Sequence, residues 1–261
     1  MGYTFISGAT GGIGKAFSKA VAMRGDDLFI TGRNYAKLAQ LKEQLIKDYG
    51  VNIECFACDL TDQSSRKQML DEIDKKSLKF SRIINVAGVD TQMAFMDYTE
   101  EKVLFQLRVN AEATISLTHA LLIRRERNTE VITISSMSGV SPMPYFALYS
   151  ATKSMLINFF TSLHYELKKD GVKVTVVMPG GVPTRQDIIK EIKSQGLWGR
   201  LSAKSPEFVA EKSLKAVKKN KIKYIPGGFN KLLYFIMKIA PKRIVLSFIA
   251  RRWKKHSKDA F

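Results

Sequence analysis

Tyr3-Thr-Phe-Ile6 is a short apolar run, Ser7-Gly-Ala-Thr-Gly-Gly-Ile-Gly14 is a glycine-rich loop, and Phe17, Ala20 and Val21 continue as a helical pattern. Strand, glycine loop and helix in that order make a βα unit whose turn can approach a pyrophosphate. Glycines allow the tight turn, and the free N–H groups and positive dipole end of the helix favour an anion. The alternation then repeats. Strands are expected near 3–7, 27–31, 52–57, 82–86, 130–135, 172–178 and 222–225, with helices at 12–24, 34–48, 63–76, 100–124, 148–169 and 206–219. Asn34 can cap the second helix, and Gly171 closes the fifth after Lys168 and Lys169. Right-handed crossovers between such strands give an α/β, Rossmann-type doubly wound parallel sheet of about seven strands, covered by helices on both faces. Ligands of that architecture sit beyond the carboxyl ends of the strands, where Gly8 to Gly14, Asn85-Val-Ala-Gly88, Ser136 and Pro179-Gly180 all fall.

With 261 residues, 45% of them hydrophobic, the chain can bury one large core without being divided. The expected organisation is a catalytic domain over 1–225, with a lid at about 185–204 and a C-terminal helical extension over 226–261. Met1 leads almost directly into the first strand, with no basic and apolar leader before it, so a cytoplasmic location is expected. Cys55 and Cys58 have CxxC spacing, but residues three apart on a strand point to opposite faces and no second pair completes a metal site. Both are read as reduced structural thiols. No metal is expected, and His119, His164 and His256 are read as packing or surface residues.

Ser136, Tyr149 and Lys153 carry the chemistry. Tyr149 and Lys153 are i and i+4 on one helix and share a face. A phenol normally holds its proton to a pKa of about 10, and a neighbouring ammonium favours the phenolate. Together they can deliver a proton to a carbonyl oxygen that Ser136 also binds. At the end of the second strand, Thr31-Gly-Arg33-Asn34 contains no carboxylate for a ribose 2′-hydroxyl. Arg33 instead offers a planar fork suited to a 2′-phosphate, so NADP(H) is expected over NAD(H).

These residues resemble the short-chain dehydrogenase/reductase family over residues 3 to about 225. The matches are Gly8, Gly12 and Gly14 of a TGxxxGxG-type loop with Ser7 in place of Thr, Asp59, Asn85-Val-Ala-Gly88, Asn110, Ser136, Tyr149-xxx-Lys153 and Pro179-Gly-Gly-Val-Pro-Thr184. Gly8, Gly11 and Gly14 also fit the family's extended branch, but the chain lacks that branch's added substrate domain. The resemblance implies Tyr149 as acid and base, Lys153 as its pKa modulator and ribose ligand, Ser136 as the group that orients the carbonyl, and Asn110 as the anchor of a water leading to Lys153. It implies cofactor contacts at Gly8, Thr10, Gly11, Gly12, Ile13, Gly14, Arg33, Asn34, Asp59, Leu60, Asn85, Ala87, Gly88, Tyr149, Lys153, Pro179, Gly180, Val182 and Thr184. Met93, Met143, Tyr145, Phe146 and Trp198 lie near the expected mouth and suit a bulky hydrophobic ketone, such as a steroid or a 3-oxoacyl chain. The expected activity is NADPH-dependent interconversion of a ketone and a secondary alcohol. A non-catalytic NADP-binding regulator or scaffold that kept the fold is the alternative. The family likeness also suggests a homo-oligomer built through the helices at 100–124 and 148–169.

Residues 204–261 hold 16 Lys/Arg and 3 Asp/Glu, a net +13 of the whole chain's +18. As a helix, the end of this segment puts Val245, Leu246, Ile249 and Trp253 on one face and Arg251, Lys254 and Lys258 on the other, with Ile244 and Phe248 at the edge. Lys238, Lys242, Arg243 and Pro241 argue against spanning a bilayer. Packing on its own core or a subunit partner is the favoured reading; lying on an anionic membrane at its inner face is the alternative. Nucleic-acid binding is not expected, because large aliphatics interleave with the basic groups.

Overall fold

A computed structural model describes residues 2–253. Seven parallel strands form one sheet: β1 (Tyr3–Ser7), β2 (Leu28–Gly32), β3 (Ile53–Ala57), β4 (Phe80–Asn85), β5 (Arg125–Ile134), β6 (Lys173–Val177) and β7 (Lys223–Tyr224). Their spatial order is β3-β2-β1-β4-β5-β6-β7, so the order reverses between β1 and β4. The central strands are apolar on both faces: Phe5, Ile6, Ile83, Ile84, Val131 and Ile132 are fully buried, as a parallel sheet covered on both sides requires.

Helices α1 (Gly12–Ala22), α2 (Tyr35–Tyr49) and α9 (Pro206–Lys218) cover one face through Phe17, Val21, Leu38, Leu41, Val209 and Leu214. On the other lie α3 (Gln63–Lys75), α4 (Glu100–Leu107), α5 (Ala113–Ile123) and α6 (Ala147–Glu166), with Met69, Ile73, Leu117, Leu121, Leu156 and Phe160 in the core. Helix ends follow local chemistry. Asn34 Oδ1 accepts from Lys37 N–H at 2.9 Å, Asp62 accepts from Ser64 and Ser65 N–H, and Gly50 supplies the left-handed φ of 66° that ends α2.

Two elements differ from expectation. The helix expected over 100–124 is interrupted by a π-helical turn at Arg108–Glu112, in which Ala113 N–H bonds Arg108 C=O. Strand β5 starts at Arg125, where it pairs with Phe80 across a register shift. Past β6 lie α7 (Gln186–Ser194) and α8 (Gly196–Ser202), within the expected lid, and past β7 lie α10 (Gly228–Ile239) and α11 (Lys242–Trp253). Val245, Ile249 and Trp253 of α11 pack against Met143, Phe146 and Tyr149, so the extension folds back onto the domain. Lys254, His256 and Lys258 lie outside the described residues. Among the described residues no helix is long and apolar enough to cross a membrane.

Candidate active site

At the reversal in strand order, Ser7 Oγ accepts from the N–H groups of Val86 (3.1 Å) and Ala87 (3.3 Å), tying the loop after β1 to the loop after β4. A Cβ on Gly8, already at φ +66°, would come within 2.9 Å of the Ala87 backbone; one on Gly14 would lie 2.1 Å from Gly8 O. Only glycine permits this turn. Gly11 sits at the N-cap of α1 with no side-chain cap, so the first-turn N–H groups stay open.

These N–H groups face a cleft of about 290 Å³ lined by Gly8, Thr10 to Gly14, Arg33, Cys58, Asp59, Leu60, Ala87, Gly88, Phe105 and Thr184. It shares Ile13, Val86, Gly88, Val89, Thr184 and Arg185 with a second cavity of about 310 Å³, which contains Ser136, Tyr149, Lys153, Pro179, Gly180 and Val182. The two form one groove. A glycine cradle at a helix start, an arginine at the far end and acid-base groups at the other suit an extended dinucleotide. The Arg33 guanidinium lies 5.9 Å from the Phe105 ring centroid, which holds the fork at the rim. Asp59 lines the cleft while its Oδ1 accepts from Thr61 N–H and Oγ–H, so it also serves the turn before α3.

Ser136 lies two residues past β5, where its Oγ accepts from Ser138 N–H at 3.0 Å. Tyr149 lies near the start of α6, lining the same cavity as Ser136, with its ring stacked on Phe146 at 4.4 Å. Lys153, one turn on, is buried; its Nζ donates to Ile134 O at 3.0 Å and lies 5.6 Å from the Tyr149 ring centroid. In the groove, burial is the largest influence on both groups. Burial pushes the phenol well above its ordinary value, Asp90 adds to that, and the Ser136 hydroxyl acts in the opposite direction. Burial also pushes Lys153 down to about 8, against the raising effect of Asp90. Desolvation outweighs the pairwise charge terms here.

Asn110 occupies the π-helical turn. Its Nδ2 donates to Val89 O (2.9 Å) and Thr152 Oγ1 (3.2 Å), and its Oδ1 accepts Val89 N–H at 2.8 Å. The side chain therefore clamps the loop after β4 from behind Gly88. A Cβ on Gly88 would lie 3.2 Å from both Asn110 Oδ1 and Lys153 Nζ.

Six expected site residues stand outside this groove. Asn34 is exposed and caps α2. Asn85 is buried beneath the loop, donating to Thr118 (2.8 Å) and Thr133 (3.1 Å), because β4 needs a polar tie to β5 and α5 there. Met93 and Tyr145 line a separate cavity with Phe95 and Ala250, and Met143 packs under Phe146 against Ile249. Trp198 meets Phe229 edge-on at 5.1 Å. Phe146 does line the groove. So do Asp90, Gln92, Ile188, Ile192 and Gln195, together with Trp253, whose ring lies 6.4 Å from Phe146. Arg185 bridges Asp90 at 3.3 Å across the mouth. Ile188 and Ile192 fall in the lid stretch expected over about 185–204; Asp90, Gln92 and Trp253 carry no local signal of their position.

Cys58 is a buried thiol that burial pushes up, Cys55 is half-buried, and both are unpaired. Among the described residues no group of three or more His, Cys, Asp or Glu could hold a metal ion.

Fold and groove define a dinucleotide-binding α/β protein with a Ser, Tyr and Lys set at the end of its cleft. The family profile described as short chain dehydrogenase matches residues 3–194, and the chain belongs to that family. It is 30% identical over 179 residues to a very-long-chain 3-oxoacyl-CoA reductase of Laccaria bicolor, covering 66% of this chain and 52% of that protein. The chain thus matches about half the length of that relative. Its fold is similar to a 7β-hydroxysteroid dehydrogenase structure, with TM-score 0.86, 23% identity, and 95% and 96% of the two chains covered. It is also similar to a short-chain dehydrogenase from Sphingobium yanoikuyae in complex with NADPH, with TM-score 0.74, 22% identity and 93% and 97% coverage.

Proposed function

We propose that this chain is an NADP(H)-dependent oxidoreductase interconverting a ketone and a secondary alcohol on a hydrophobic substrate. The observation that carries the reading is the meeting of Ser136, Tyr149 and Lys153 in a cavity continuous with the glycine-lined cleft. The Gly8–Gly14 loop, Asp59, Arg33 and Thr184 would hold the cofactor. When bound, the reduced nicotinamide supplies hydride to the carbonyl carbon. Ser136 holds and polarises the carbonyl oxygen, and the Tyr149 hydroxyl gives that oxygen its proton. A phenol held protonated near neutrality is in the form that donates, which supports reduction. Lys153 keeps a cation beside the ring, and Asn110 fixes the Val89 loop against both. Phe146, Ile188, Ile192 and Trp253 form an apolar wall, which supports a bulky lipid-like carbonyl.

Arg33 supports NADP(H), since two charge-assisted hydrogen bonds to a 2′-phosphate are worth about 1.5–3 kcal/mol each. Arg33→Asp is expected to weaken NADPH binding by roughly 10²-fold or more while NADH changes less than about threefold. Fluorescence titration with both cofactors reads this; an equal response ends the NADP(H) assignment. NADPH consumption with steroid ketones and 3-oxoacyl thioesters tests the enzyme itself, and tight cofactor binding without turnover on any of them would favour the regulator or scaffold.

A cytoplasmic setting belongs to the same reading and is supported by the two unpaired thiols. A homo-oligomer is supported by Leu104 and Leu107 on α4 and Met155 and Phe159 on α6, which stand exposed on helices packed together. Light scattering on a sizing column is expected to give a dimer or larger; a monomer mass would end that part.

A further inference from the structure

Helices α10 and α11 each carry apolar side chains on two sides, and only the inner side is covered. Inside, Val245, Ile249 and Trp253 pack on Phe146 and Tyr149. Asn230 anchors α10 through bonds to Ser202 O (2.8 Å) and Pro226 O (2.7 Å), and Tyr234 reaches the second core. These contacts fix which side faces out. On that side Leu232 (55% exposed), Phe235 (61%), Ile236 (46%) and Ile239 (64%) form a stripe along α10, and Ile244 (65%) and Phe248 (55%) stand exposed one turn apart on α11. The spacing 232, 235, 236, 239 is one helical face.

Exposed Lys231, Lys238, Lys242, Arg243 and Arg251 rim the stripe, and the sequence has no Asp or Glu from 212 to 258. Exposed apolar helix faces of this kind mark a contact site, and the charge identifies its partner. A second copy on a two-fold axis would press one carboxylate-free basic rim against another, at a cost in like-charge repulsion. A nucleic acid would leave six large apolar side chains without a counterpart. An anionic bilayer offers both an apolar layer and opposite charge. Each helix has 12 residues, about 18 Å, too short to cross the hydrocarbon core.

We propose that the outer face of α10 and α11 docks in the plane of an anionic lipid surface, with Leu232, Phe235, Ile236, Ile239, Ile244 and Phe248 in the acyl boundary and the basic rim at the headgroups. The same α11 walls the groove through Trp253, so docking brings the cavity wall to the lipid boundary.

Sedimentation of the full chain with vesicles tests this without reference to turnover. Vesicles of phosphatidylcholine plus phosphatidylglycerol are compared with pure phosphatidylcholine, at low and high salt. Each cation near an anionic surface raises partition about fivefold, so the mixed vesicles are expected to bind at least about tenfold better, less so as salt rises. Because a basic protein can bind anionic vesicles by charge alone, the deciding variant is neutral: Phe235→Ser with Phe248→Ser. It is expected to lose at least about tenfold in partition and all binding at high salt, with its thermal unfolding transition kept. Lys238→Glu with Lys242→Glu is expected to lose the preference for anionic over neutral vesicles. Equal binding by parent and serine variant overturns the proposal, as does absence of binding by the full chain. A serine variant that falls from dimer to monomer while vesicle binding is unchanged also overturns it and assigns the face to a protein partner.

Discussion

Tyr149→Phe is expected to lower kcat/KM for ketone reduction by about 10²–10⁴, the range set by loss of a positioned general acid, with NADPH affinity within about threefold of the parent. The substitution removes one oxygen and keeps the ring that stacks on Phe146 at 4.4 Å, so the wall of the cavity stays in place. The Ser136 hydroxyl keeps its bond from Ser138 N–H, which leaves the turn after β5 held. What disappears is the donor that meets the carbonyl oxygen as charge develops on it. Parallel measurements of NADPH consumption and NADPH binding separate chemistry from docking. A variant that retains more than about a tenth of the parent kcat/KM would remove Tyr149 from the acid role. A variant that loses cofactor binding as well would mean that the phenol organises the cleft rather than acts in it.

Much of the fold was legible because its signals are local. Buried parallel strands must be apolar on both faces, so β1, β4 and β6 stand out as short apolar runs between helical patterns. The glycine turn is equally readable, since Gly8 and Gly14 have no space for a Cβ. Tyr149 and Lys153 share a face of α6 by spacing alone. What escaped depends on contacts distant in sequence. The π-helical turn forms where Asn110 reaches the Val89 backbone, and nothing between residues 100 and 124 announces that partner. Trp253 enters the groove only because α11 folds back on Phe146. Spacing likewise reveals the amine near the phenol, but not the burial or the Asp90 carboxylate that also act on it. Asn85 likewise reads as a cofactor residue from its motif, while its amide nitrogen donates to Thr118 and Thr133 beneath the loop.

Lys153→Met should make the protein more stable at pH 7 and nearly inactive. The buried ammonium has its pKa lowered from 10.5 to about 8, a gap worth about 3 kcal/mol at 1.36 kcal/mol per pH unit. In the unfolded chain Lys153 holds its proton to its ordinary value, so between pH 8 and 10.5 the unfolded state binds more protons than the native one. Stability therefore rises with pH across that window, and below pH 8 the fold carries the full cost of the charge. Methionine has a similar length and no charge; after loss of the bond from Nζ to Ile134 O, worth about 1 kcal/mol, a net gain of about 1–2 kcal/mol remains at pH 7. Tyr149 acts in the opposite direction, because its raised pKa lets the unfolded chain ionise first and erodes stability only above pH 10. Urea unfolding at pH 7, 8, 9 and 10 is thus expected to show a midpoint that rises in the parent relative to Lys153→Met, whose own midpoint falls toward pH 10 as the unfolded Cys55 and Cys58 thiols ionise first. Turnover should fall by at least about 10²-fold, as a stabilised active site that has lost its charge would. If the variant unfolds more easily at pH 7 and keeps the parent's pH slope, the buried cation is not the source of strain, and the groove owes its cost to another group.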